Sequence, residues 1–141
     1  MTITAIDTSV AVPLLVTSHS QHGMVAEWAK SRNLGLSGHA LAETYSVLTR
    51  LPGDARVEPA DAVALIDENF PEQLQLGVRS ARAAHREFAQ RGIAGGATYD
   101  GLVALAAREH GAVLVTRDAR ARSTYIALGV RTEVLAEHTM R

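Results

Sequence analysis

Ile3-Thr4-Ala5-Ile6-Asp7-Thr8-Ser9 is a short apolar strand that stops at a carboxylate and passes directly into a helical pattern at 9–16. The same grammar recurs along the chain. Further β-like runs lie at 34–37, 73–77, 112–116 and 132–135. Between them are helical patterns at 21–32, 39–51, 59–70, 79–90, 99–110 and 119–128. Short strands alternating with helices of this length predict right-handed βαβ units and a parallel sheet. The strands are nearly continuous apolar runs, as expected when helices cover both sheet faces. The predicted fold class is therefore α/β, a three-layer α/β/α arrangement with a central, mostly parallel sheet of four or five strands. The punctuation agrees with this reading. Pro52-Gly53 breaks the third helix, Pro59 suits a first helical turn, and Gly92, Gly111 and Gly129 suit C-terminal caps.

A length of 141 residues predicts one domain spanning 1–141. A domain of this size buries roughly 68–70% of its unfolded surface, enough for a core without staples. There is no cysteine, which excludes disulfides, thiolate metal sites and cysteine catalysis. No secretory signal pattern is present, and no apolar run approaches the ~20 residues that span a bilayer. A soluble, cytoplasmic protein with no membrane contact is expected. The net charge is −1, so nothing global favours nucleic acid. The distribution is less neutral. Lys and Arg total 14, Lys30 is the only lysine, and Arg79, Arg82, Arg86, Arg91, Arg108, Arg117, Arg120 and Arg122 crowd the second half. Arg forks bind phosphate bidentately, although each could equally solvate a helix or pair with Glu.

Four acids stand where apolar segments begin or end. Asp7 ends the first strand, and Glu43 lies in Leu41-Ala42-Glu43-Thr44-Tyr45-Ser46-Val47-Leu48. Asp100 follows the glycine-rich loop 92–97 and opens an apolar helix, and Asp118 lies just past Ala112-Val113-Leu114-Val115-Thr116. In an open parallel sheet, ligands bind beyond the carboxyl ends of the strands, near the point where strand order reverses. All four acids can reach that edge. Carboxylates brought together repel one another and resist ionisation. A hard divalent cation removes that penalty, takes oxygen ligands, and can activate water and clamp phosphate oxygens. An oxygen-only cluster without cysteine or a clear His pair points to phosphodiester chemistry.

The segments Ile6-Asp7-Thr8-Ser9, Ala42-Glu43-Thr44-Tyr45-Ser46-Val47-Leu48-Thr49-Arg50, Tyr99-Asp100-Gly101-Leu102-Val103-Ala104 and Val115-Thr116-Arg117-Asp118 resemble the four acidic blocks of PIN-domain proteins, most closely the VapC-type toxins of toxin–antitoxin pairs. The resemblance runs in order over nearly the whole chain. It implies a Mg²⁺-dependent endoribonuclease of PIN fold, with Mn²⁺ as a possible substitute. Asp7, Glu43, Asp100 and Asp118 would hold metal or activate water, with Ser9 and Thr116 in support. It also implies a structured RNA substrate such as tRNA or rRNA, a homodimer, and inhibition by a VapB-type antitoxin.

Plainer readings compete at each position. Asp7 and Asp118 suit helix N-caps, Asp100 suits a first turn, and Glu43 could pair with Arg50. His19, His22 and His39 could suggest a metal-free ribonuclease, but they share no placement at strand ends. Trp28, Tyr45 and Tyr125 could stack bases, or pack in a core or interface. Val10, Val12, Leu14, Leu15, Met24, Val25 and Trp28 could exceed what one small core hides. The alternative function is a non-catalytic PIN-like module that binds RNA or protein. A phosphatase with Asp7 as nucleophile is disfavoured, because such enzymes need a second Asp where Ser9 stands.

Overall fold

The computed structural model describes residues 2–135; the two ends of the expected 1–141 unit lie outside them. Four strands, β1 (Ile3–Ile6), β2 (Asn33–Leu36), β3 (Leu114–Thr116) and β4 (Thr132–Val134), form one sheet in the order β2-β1-β3-β4. Every pairing is parallel, with Ile6 opposite both Leu36 and Val115, and Thr116 opposite Val134. Among the described residues seven α-helices surround it: α1 (Thr8–Leu15), α2 (His22–Ala29), α3 (Ala40–Thr49), α4 (Pro59–Asn69), α5 (Val78–Gln90), α6 (Ala97–Glu109) and α7 (Ala119–Ala127). The result is a three-layer α/β/α arrangement with the sheet in the middle.

The central strands are buried because their residues are apolar on both faces. Ile6, Leu36, Leu114 and Val115 are all at most 1% exposed. Full burial of such a side chain contributes about 1.5–3 kcal/mol. Gly111 and Gly129 end α6 and α7 at φ of 64° and 79°, a backbone region that only glycine enters without strain.

The predicted strand at 73–77 is not one. Only Leu74 joins the sheet, as a parallel bridge to Ser37 beyond β2. Leu74 N–H donates to Leu36 O at 3.0 Å and Gly38 N–H to Leu74 O at 2.8 Å. The next backbone groups are taken by the end of α6. His110 Nε2 donates to Gln75 O at 2.9 Å, and Gly77 N–H donates to Glu109 Oε2 at 2.8 Å. With its polar groups satisfied elsewhere, the segment leaves the sheet and enters α5.

The early helices also hide more than the sequence suggests. Val10, Leu15 and Val25 are buried, and Leu14, Met24 and Trp28 pack half-buried against the core. The exposed large apolar side chains lie elsewhere, at Tyr45, Val63, Val78, Tyr99, Ile126 and Val134. No helix among the described residues is long and apolar enough to cross a membrane.

Close packing of α5 on α6 gives a direct test. A Cβ on Gly101 would meet Phe88 Cε1 and Cζ at 2.6 and 2.7 Å, and the Phe88 ring is itself buried in the core. Gly101→Ala is expected to cost roughly 1–3 kcal/mol through overpacking, read as a lower denaturation midpoint with unchanged slope.

Candidate metal centre

The chain runs from β1 outward to β2 and then crosses back to β3 on the other side of β1, so strand order reverses between β1 and β3. At that point a cavity of about 220 Å³ opens, lined by Asp7, Thr8, Ser9, Glu43, Asp100, Val103, Asp118, Ala121 and Tyr125. All four acids singled out from sequence line it. Of the two supporting hydroxyls, Ser9 is in the lining and Thr116 stands behind it, bonded to Ser9.

Asp7 and Asp118 are helix N-caps as well as cleft residues. Asp7 Oδ1 accepts from Ser9 N at 3.1 Å to start α1, and Asp118 Oδ1 accepts from Arg120 N at 2.9 Å to start α7. A cap following a parallel strand necessarily sits at the strand's carboxyl end, so capping and site formation are one placement.

Hydrogen bonds fix the orientation of Asp7, which is only 5% exposed. Ser9 Oγ donates to its Oδ1 at 2.6 Å, and Tyr125 Oη donates to its Oδ2 at 2.7 Å. The Ser9 proton is thereby committed, so Thr116 Oγ1, 3.2 Å away, donates to Ser9 Oγ. Thr116 Oγ1 in turn accepts Asp118 N–H at 3.0 Å. Glu43 is exposed on the first turn of α3. Thr8 Oγ1 donates to its Oε1 at 3.0 Å and accepts from Thr44 Oγ1 at 3.2 Å.

The electrostatics are those of crowded anions. Burial pushes the Asp100 carboxyl above its ordinary value, and Asp118, Glu43 and Asp7 push it further, with Arg120 opposing. Burial also raises Asp7, against the hydrogen bonds it accepts from Ser9 and Tyr125. Burial and the Asp7 carboxylate push the Tyr125 phenol far above its ordinary value, so it stays a donor. The donor set is all oxygen, which suits a hard cation such as Mg²⁺ or Mn²⁺. No three His, Asp or Glu side chains among the described residues form a ready-made ion cage. Mg²⁺ keeps several of its waters and is commonly held by one or two carboxylates.

Thr8 and Tyr125 line the cleft beyond the site residues expected from sequence, where Tyr125 figures only as a residue that could stack bases or pack in a core or interface. Tyr125 is 1% exposed and donates to Asp7, so it stacks no base. It lies seven residues after Asp118, two helical turns along the same face, and that spacing is the signal that points to it. Among the described residues no histidine lines the cleft. His39 stacks on Tyr99 at 5.0 Å, and His22 Nδ1 donates to Pro13 O at 2.9 Å. The arginines divide. Arg108 makes a bidentate pair with Glu87 at 2.7 and 2.8 Å, Arg91 also reaches Glu87, and Arg117 is turned inward to Ser9 O. Arg120 pairs with Asp118 at the cleft rim.

Two measurements follow from this network. Raising the carboxyl of Asp100 means that the fold loses stability as pH climbs above 3.8 and through the raised value, because ionisation is harder in the folded state. Metal-free Asp100→Asn is therefore expected to melt higher than wild type at neutral pH, with the gap closing below pH 3.8 in calorimetric scans. Tyr125→Phe leaves a buried carboxylate oxygen short of its donor and is expected to lower stability by about 1–3 kcal/mol in urea titration.

The geometry agrees with the comparisons. A PIN domain family model matches residues 4–127. The chain is 55% identical over 132 residues to Ribonuclease VapC27 of Mycobacterium tuberculosis (strain ATCC 25618 / H37Rv), covering 94% of this chain and 96% of that protein. It is 42% identical over 130 residues to Ribonuclease VapC40 of the same species, covering 92% and 96%. The fold also matches a crystal structure of VapBC2 from Rickettsia felis bound to a promoter DNA fragment, with a TM-score of 0.65 at 17% identity and coverage of 94% and 98%. A four-acid cleft at the switch point of a parallel sheet, a PIN model over most of the chain, and full-length likeness to two VapC ribonucleases lead to one conclusion: the chain belongs to the PIN-domain family.

Proposed function

We propose that the protein is a Mg²⁺-dependent endoribonuclease and the toxin of a VapBC-type toxin–antitoxin pair, acting as a single PIN domain over 1–141. The observation that carries this reading is the convergence of Asp7, Glu43, Asp100 and Asp118 on one cleft, where burial and then the other three carboxylates make Asp100 harder to ionise than an ordinary aspartate. The relatives named as VapC ribonucleases support it at 55% and 42% identity. A bound Mg²⁺, or Mn²⁺ in its place, would be held by these four carboxylates and would supply an activated water and neutralisation of phosphate charge.

The chain's own residues prepare the cleft. Ser9 and Tyr125 hold the Asp7 carboxylate from opposite oxygens, and Thr8 holds that of Glu43. Thr116 braces the loop carrying Asp118. Arg120, 94% exposed beside Asp118, is placed to meet a phosphate at the rim. Arg79, Arg82, Arg86 and Arg122 are exposed and make no ion pair among the described residues, so they remain available for a polyanion. Arg108 and Arg91 are committed to Glu87 and are not part of that surface.

Within this reading the substrate is a structured RNA such as tRNA or rRNA, and the compartment is the cytoplasm. A VapB-type antitoxin and a second copy of the chain are the protein partners. The fold neighbour crystallised as VapBC2 supports the first of these. Exposed apolar side chains at Tyr45, Val63, Val78, Tyr99 and Ile126 provide surface for both.

Purified protein is expected to cut cellular RNA in Mg²⁺ and to stop in EDTA. Asp7→Asn and Asp100→Asn are expected to retain the fold and lower cleavage by more than the ~10–100-fold typical of losing an outer-shell partner. Undiminished cleavage in EDTA would refute the metal mechanism. Normal folding with no Mn²⁺ binding in calorimetry would favour the non-catalytic binding module instead.

A further inference from the structure

A proline inside a helix orphans one carbonyl, that of the residue four positions earlier. In α1 the proline is Pro13, and the orphan belongs to Ser9. That carbonyl has found a replacement donor, because Arg117 Nη1 reaches Ser9 O at 3.2 Å. The backbone N–H of Arg117 donates to Ser9 Oγ at 2.7 Å. Arg117 therefore holds Ser9 by main chain and side chain together. Ser9 in turn makes two of the hydrogen bonds on Asp7 Oδ1, from its N–H at 3.1 Å and its hydroxyl at 2.6 Å. The arrangement is kept although Arg117 Nε is buried with no hydrogen-bond partner among the described residues. A buried unpaired N–H is unfavourable, so something else must hold the guanidinium in place.

We propose that Arg117 is a positioning residue of the cation site. It supplies the donor that Pro13 removed, locks Ser9, and through Ser9 ties the Asp7 carboxylate of β1–α1 to the Asp118 loop of β3–α7. Arg117 acts on the site through Ser9 and not by contact with substrate. The inference rests on the reading of the cleft as a divalent-cation site.

The relation to Pro13 provides the test. Replacing Pro13 by Ala restores an N–H to α1, which can bond Ser9 O and make the Arg117 side chain dispensable. Mn²⁺ titration calorimetry and metal-free thermal melts are compared for wild type, Pro13→Ala, Arg117→Met and the double variant, a cycle that isolates the coupling. Arg117→Met is expected to weaken Mn²⁺ binding by roughly 10–100-fold, the usual effect of losing an outer-shell partner. Pro13→Ala is expected to bind like wild type, and the double variant to recover most of the lost affinity and melting temperature. Arg117→Lys, which keeps the charge but not the fork, runs in parallel and is expected to be impaired and repaired in the same way, including if the Met variant does not fold. Unchanged Mn²⁺ affinity in Arg117→Met and Arg117→Lys would overturn the proposal, as would a loss that Pro13→Ala does not repair. A defect confined to RNA binding would also overturn it and make Arg117 a phosphate contact. If wild type itself binds no Mn²⁺, the cation reading falls and this role with it, a result distinct from any difference among the variants.

Discussion

Parallel pairing of β1 with β2 on one side and β3 on the other points every strand the same way. All carboxyl ends therefore fall on one edge, and the chain must leave each strand there. Helices begin where strands end, so residues suited to N-caps collect on that edge. Asp7 and Asp118 are two such caps on adjacent strands, β1 and β3, whose ends are joined in register at Ile6 and Val115. Glu43 and Asp100 arrive on the first turns of α3 and α6. The cleft follows from sheet geometry combined with the ordinary chemistry of helix starts.

That placement concentrates negative charge, and the surrounding structure shows how it is tolerated. Helix N-termini present N–H groups to Asp7 and Asp118, and the partial positive charge of a helix start favours all four acids. Hydroxyl donors do the rest. Ser9 and Tyr125 serve Asp7, and Thr8 serves Glu43. Among the described residues Asp100 has no such hydroxyl partner, and its carboxyl is raised by burial and then by the field of the other three.

Arginines that look alike in sequence take different parts in the folded chain. Arg108 and Arg120 are both helical and both near an acid. Arg108 is locked bidentately across the α5–α6 contact to Glu87, a structural clamp. Arg120 sits 94% exposed over the cleft rim, where its pairing with Asp118 is weak and screened. Run 73–77 reads as a strand because it carries the right residues, yet Glu109 and His110 compete for its backbone groups and leave a single bridge. Local pattern cannot register a competitor 32 or 35 positions away.

What the sequence determined by itself was everything that depends on near neighbours. Strand and helix alternation, the parallel α/β class, the glycine stops and the placement of four acids at segment boundaries are all set within a few residues of one another. The tertiary structure alone decided how those boundaries meet. Tyr125 reaches Asp7 across 118 positions, and Arg117 reaches Ser9 across 108. Such contacts exist only once strand order has brought β1 beside β3, because the distance between two strand ends is a property of the sheet and not of either strand. The cost that Pro13 imposes is visible in the sequence as a missing N–H, whereas the group that answers it could be found only in the folded chain.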